Sequence, residues 1–103
     1  MLNFLVLAEN ANDARHKYLV LVDQLREAEI KYRQHFNQLV ITTDNTRTKF
    51  VFSRKQFVGI RPIPDVICGT NKKLIDVEDF GTVSDHEPIY YIKQKELDEW
   101  NTI

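Results

Sequence analysis

LNFLVLAENANDARHKYLVLVDQLREAEIKY, residues 2–32, changes its hydrophobic period once, and that change decides the fold. The first part, Leu2 to Ala8, is apolar with almost no interruption and stops at Glu9–Asn10. A run that short, bounded by polar residues, predicts a strand buried on both faces. Asn10 or Asn12 then supplies a helix cap, and Asp13 stands where a negative charge favours the start of a helix. From there Ala14, Tyr18, Leu21, Val22, Leu25, Ala28 and Tyr32 recur at steps of three and four. That is the helical period, with Arg15, Asp23, Arg26, Glu27 and Lys31 on the opposite side. The pattern predicts a helix over about residues 11–34, ~35 Å long, enough to cross a small sheet.

Beyond this helix the period shortens. QLVITT (Gln38–Thr43) is rich in β-branched residues, and KFVFS (Lys49–Ser53) alternates aromatic with other side chains. Asp44–Asn45–Thr46 between them is a turn cluster, so the pair predicts a β-hairpin. Gly59, Pro62 and Pro64 punctuate the following segment. DVIC (Asp65–Cys68) reads as another buried strand closed by Gly69, and LIDVEDF (Leu74–Phe80) as a strand end and turn. PIYYI (Pro88–Ile92) reads as a strand, and QKELDEW (Gln94–Trp100) as a short closing helix. The order predicts one α/β domain over residues 1–103. It is a two-layer sandwich: one long helix on a mixed sheet of four to five strands, with a short C-terminal helix. The first strand is expected to run parallel to a later one.

The totals agree with a single globular unit. With 103 residues, 43% hydrophobic and 28% charged, and with only 3 Gly and 3 Pro, the chain matches an ordinary domain. Its single cysteine, Cys68, has no disulfide partner within the chain and stands in an apolar run, the setting of a small buried hydrophobe. The apolar start is too short for a membrane span and lacks the basic flank of a signal peptide. The expectation is a cytoplasmic protein with no membrane association.

Several chemistries have no carrier. Three widely spaced glycines allow neither phosphate-loop nor dinucleotide-loop spacing. His16, His35 and His86 lack zinc-site spacing, and Cys68 has no second cysteine nearby. Asp85–His86–Glu87 is the one acid–histidine cluster, and its expected state is solvated. Asp76, Glu78 and Asp79 form an acidic segment without a complete cation-ligand pattern. No catalytic residue, cofactor or metal is expected, and the chain reads as a binding protein rather than an enzyme.

Charge supplies the positive signal. The net charge of −1 conceals a division: residues 45–73 carry seven basic side chains (Arg47, Lys49, Arg54, Lys55, Arg61, Lys72, Lys73) against one acid, Asp65. Residues 74–103 carry eight acids against two bases. Phe50, Phe52 and Phe57 interleave with the cations, a mixture that grips single strands through phosphates and stacking. The competing reading turns these rings into the core and leaves the cations solvated on the opposite face. The acidic third offers Asp76, Glu78, Asp79, Asp85 and Glu87 to a protein partner, or to the chain's own basic segment.

Residues 2–70 also resemble the core of phage terminase large subunits and related RecA-like motors. The strand of Leu2–Asn10 with Ala11 and Ala14 is similar to the segment that follows the nucleotide-binding motif there. QLVITT-DNTRT-KFVFS is similar to the hairpin of those proteins. Gln56 to Ile67, QFVGIRPIPDVI, looks like the stretch leading into the Walker B strand. No Walker A motif precedes the first strand, and Cys68–Gly69 stands where the family places an Asp-Glu pair. The resemblance implies a phage-encoded fragment of a motor fold that has lost ATP hydrolysis. Two functions follow as expectations: an inhibitor or assembly factor acting on a protein partner, or a nucleic-acid-associated accessory domain using the basic segment.

Overall fold

A computed structural model describes residues 2–53, 64–69, 82–83 and 86–101. The elements run β1 (Leu2–Leu7), α1 (Ala11–Glu27), β2 (Arg33–His35), a single 3-10 turn (Phe36–Gln38), β3 (Val40–Thr42), β4 (Thr46–Val51), β5 (Val66–Gly69), β6 (Thr82–Val83) and α2 (Pro88–Asn101). They form the expected α/β domain. The sheet is mixed, in the order β2-β3-β4-β1-β5-β6, with the short strands β2 and β6 at its edges.

The central strand is β1. It pairs in parallel with β4 on one side and with β5 on the other. Phe4 and Val6 face the helices, whereas Leu5 and Leu7 face away, and all four are at most 4% exposed. Strands buried on both faces are what an unbroken apolar run encodes. The start of β5 is clasped to β1 by Asp65, whose Oδ2 accepts from the Asn3 amide at 2.9 Å while its own amide donates to the Asn3 carbonyl at 2.8 Å.

Both helices pack on one face. Ala14, Tyr18, Leu21, Val22 and Leu25 of α1 and Ile92 of α2 share a core with Phe4, Val6, Ile41, Phe50 and Cys68. The start of α1 is capped as its sequence requires: Asn10 Oδ1 accepts from the Asp13 amide at 2.8 Å. Asp13 Oδ2 in turn accepts from the Glu9 amide and from Lys17 Nζ, each at 2.9 Å. These bonds, the Glu9 amide first, hold the Asp13 carboxyl below its ordinary range.

Three expectations are corrected. The first concerns α1, which stops at Glu27 rather than at residue 34. A paired backbone lock ends it: the Ile30 amide donates to the Leu25 carbonyl at 3.0 Å, and the Glu29 amide to the Arg26 carbonyl at 3.1 Å. Glu29 sits at φ 58, the left-handed position that usually belongs to glycine in this motif. Tyr32, expected on the helix, packs on the core from the connection instead, with its hydroxyl accepting from Arg26 Nε at 3.2 Å.

The second correction concerns Pro88–Ile92, which is helix and not strand. It merges with the expected closing helix into one element of 14 residues. Pro88 occupies the first helical position, where its missing N–H costs nothing and its fixed φ suits the turn. Pro88 and Ile92 are buried and Ile89 and Tyr91 half-buried, while Tyr90, Lys93, Gln94 and Lys95 are exposed, a helical rather than alternating pattern.

The third concerns the hairpin, which is present but tighter than expected: β4 begins at Thr46 rather than Lys49. Thr43 Oγ1 accepts from the Thr46 amide at 3.1 Å and meets Thr46 Oγ1 at 2.6 Å. The loop is thereby reduced to Asp44–Asn45, a hydroxyl-closed turn of the kind threonine supports. The segment Leu74–Phe80 lies outside the described residues.

The helix stop yields a test. Holding a side chain with a Cβ in the left-handed region costs about 1–2 kcal/mol. Glu29→Gly should therefore raise unfolding stability by a net ~0.5–1 kcal/mol in urea, whereas Glu29→Val should lower it.

Candidate nucleic-acid interface

Two of the seven sequence-selected cations, Arg47 and Lys49, are on β4, and the sheet register fixes their neighbours. Residues paired across a sheet share a face. Arg47 is opposite Thr42 of β3, which is opposite Arg33 of β2; Lys49 is opposite Val40, which is opposite His35. Two parallel rows result, Arg33–Thr42–Arg47 and His35–Val40–Lys49. Strand spacing and rise set these four basic side chains at the corners of a rectangle of ~10 by ~7 Å.

The rectangle lies on the sheet face turned away from both helices. Thr48 and Phe50, which alternate with Arg47 and Lys49, are buried on the helix side. Phe52 also packs there, half-buried. Hence the aromatic rings and the cations of this strand go to opposite faces, as the core reading of Phe50 and Phe52 expected. Arg33 and His35 are exposed, and Arg47 and Lys49 half-buried. Long basic side chains of this kind lay their stems on apolar neighbours and keep their heads in water; here Val40 and Leu5 lie in register beside Lys49.

No carboxylate among the described residues lies within ion-pair distance of these basic side chains. Among the described residues the ion pair within 4 Å is Lys17–Asp13, on α1. Asp65 is engaged with Asn3. A set of basic side chains without a counter-ion among the described residues is an attractive field for a polyanion.

The remaining expected residues divide plainly. Arg54, Lys55, Arg61, Lys72 and Lys73, with Phe57, lie outside the described residues, as do Asp76, Glu78, Asp79 and Asp85. Glu87 is exposed just before α2, its Oε2 accepting from Gln24 Nε2 at 3.5 Å. His86 stacks on Tyr90 with ring centres 4.2 Å apart. No group of three or more metal-ligating side chains occurs among the described residues.

The expected helix over residues 11–34 covers Arg33, and His35, just past it, stands out in the sequence only as a histidine without zinc-site spacing. The signal that marks them is the alternation in Lys31-Tyr32-Arg33-Gln34-His35, a period of two that a helix does not have. Phe36 was likewise not singled out. It is 51% exposed and lines an open cleft of about 280 Å³ with Ala11, Arg15, Asn37, Gln38, Leu39 and Phe52.

The thiol of Cys68 is 2% exposed, and burial, assisted by the Glu87 carboxylate, pushes its pKa up to about 12. It is a packed hydrophobe at neutral pH, since the thiolate is the reactive form. No family model, curated protein or solved structure matches the chain. Among the described residues no helix is long and apolar enough to cross a membrane.

Cys68 should resist a maleimide at pH 7 in the folded protein and react at once in 6 M guanidinium. Stoichiometric labelling of the native form within minutes would place the thiol at the surface and contradict this packing.

Proposed function

We propose that this chain is a non-enzymatic accessory domain that grips single-stranded nucleic acid through the basic face of its sheet. The observation that supports it most is the register that gathers Arg33, His35, Arg47 and Lys49 without a described carboxylate among them. Phosphate contacts supply affinity and orientation without reading sequence, so the domain would bind strands of many sequences alike. To Arg47 and Lys49, the two cations of the basic segment 45–73 that lie among the described residues, the register adds Arg33 and His35 from β2. The likeness of residues 2–70 to terminase motors adds a phage origin and a place beside a nucleic-acid motor to this reading.

A second reading, an inhibitor or assembly factor on a protein partner, draws on exposed apolar side chains. Leu19, Phe36 and Tyr90 are 52%, 51% and 44% exposed, and aromatic side chains are enriched at protein interfaces. The acidic surface that this reading also needs has only Glu87 among the described residues.

Fluorescence anisotropy with a labelled single-stranded oligonucleotide separates the two. If three or four cations meet phosphates, the affinity falls with salt at a log–log slope of about −2 to −3. Arg33→Glu with Lys49→Glu should weaken binding roughly tenfold at low salt. Lys93→Glu, on exposed α2, should leave it within twofold. Absence of binding at low salt, or an equal loss from Lys93→Glu, would refute the basic-face reading and favour the protein partner.

A further inference from the structure

We infer that the cleft between α1 and the 3-10 turn is a base-binding subsite, which makes the ligand a single strand with an unstacked base rather than a duplex. The inference rests on the polyanion reading above and adds to it a specific seat. Five of the cleft's residues come from one short segment and its neighbour in the sheet: Phe36, Asn37, Gln38, Leu39 and Phe52; Arg15 closes it from α1.

The chemistry of this lining suits a nucleotide. Phe36 is held from behind by Tyr18, edge to face, with ring centres 5.6 Å apart and planes at 83°. Tyr18 is itself fixed by donating its hydroxyl to Gln34 Oε1 at 3.2 Å. One ring is therefore positioned by the core while half of its surface stays open. An exposed aromatic face is a sequence-tolerant stacking platform for a base. Asn37 and Gln38 each carry a donor and an acceptor, the equipment for base edges. Arg15 is exposed and is the one charged side chain among the described residues of the lining, placed to meet a negative group such as a phosphate.

Size and position agree. About 280 Å³ is near the lower limit of ~300 Å³ for small-molecule sites, room for one base with its sugar and none for a paired stack. Phe36 directly follows His35, so the cleft opens where the basic row of β2 ends. The cleft lies on the helix side of the sheet, beside Tyr18, Phe52 and α1, so a strand whose phosphates lie along Arg33 and His35 reaches Phe36 by passing round the β2 edge of the sheet. Leu39 turns the chain here at φ 50, a left-handed conformation that is costly for a leucine, and it brings Asn37 and Gln38 back beside α1.

The test uses the full chain with three probes: a labelled single-stranded 12-mer, a duplex of the same length, and heparin. Phe36→Ala should weaken the single strand about tenfold or more and leave heparin and duplex within twofold. Arg15→Ala should make the single-strand salt slope shallower by about 0.7. Phe36→Leu, which keeps apolar volume but removes the ring, serves if Phe36→Ala fails to fold, and should show the same selective loss. If the wild type binds the 12-mer and either variant binds it equally well, the cleft is no base seat while the basic-face reading stands. An equal loss on all three probes overturns the cleft too, because stacking is confined to the single strand. A wild type that binds none of the probes overturns both.

Discussion

The structure depends on one strand that has no solvent-facing side. β1 lies between two parallel neighbours, and Phe4, Leu5, Val6 and Leu7 are all buried, two toward each face. Burying side chains of that size stabilises by about 1.5–3 kcal/mol each, so no other arrangement of this run competes. Parallel neighbours in turn require a connection that crosses the sheet. α1 supplies it on the β4 side, and its apolar stripe is the cover for Phe4 and Val6. The cap at Asn10–Asp13 and the clasp at Asn3–Asp65 secure the two ends of that strand.

From this constraint follows the partition of the sheet. One face is committed to the helices and takes the rings of Phe50 and Phe52. The other receives whatever alternates with them on β4, which is Arg47 and Lys49. The face would hold only two cations if α1 ran on to residue 34. The lock at Ala28–Ile30 ends the helix, at the cost of a left-handed Glu29, and frees Arg33–His35 to pair with β3. A local backbone decision seven residues long thus doubles the number of basic groups on the outer face. It also delivers Phe36 to the rim of the sheet.

Much of this was legible in the chain. The unbroken run of β1, the three-four period of α1, the β-branched hairpin and the DVIC strand all became the elements they announced, and the parallel pairing of β1 followed from the helix between strands. The end of α1 was not legible, because the apolar period continues to Ala28 and Tyr32 and no glycine marks the stop; the tyrosine reaches the same core from outside the helix. Pro88–Ile92 misled because aromatic and β-branched residues favour strands, and the signal of proline at a first helical turn was outweighed. For the interface, a segmental count of charge found Arg47 and Lys49 but not Arg33 and His35. Their place beside β4 is a fact of register, carried by hydrogen bonds to β3, and no count along the chain contains it.

The claim on which the account turns is that register builds one basic face and that this face meets the nucleic acid. Amide chemical-shift mapping of the labelled protein tests it directly, by titrating in a single-stranded oligonucleotide at low salt. The account predicts that the shifts concentrate on Arg33, His35, Arg47 and Lys49 and continue into Phe36–Gln38, with Tyr90–Lys95 of α2 unmoved. Shifts centred on α2, or spread over the protein without regard to face, would contradict it.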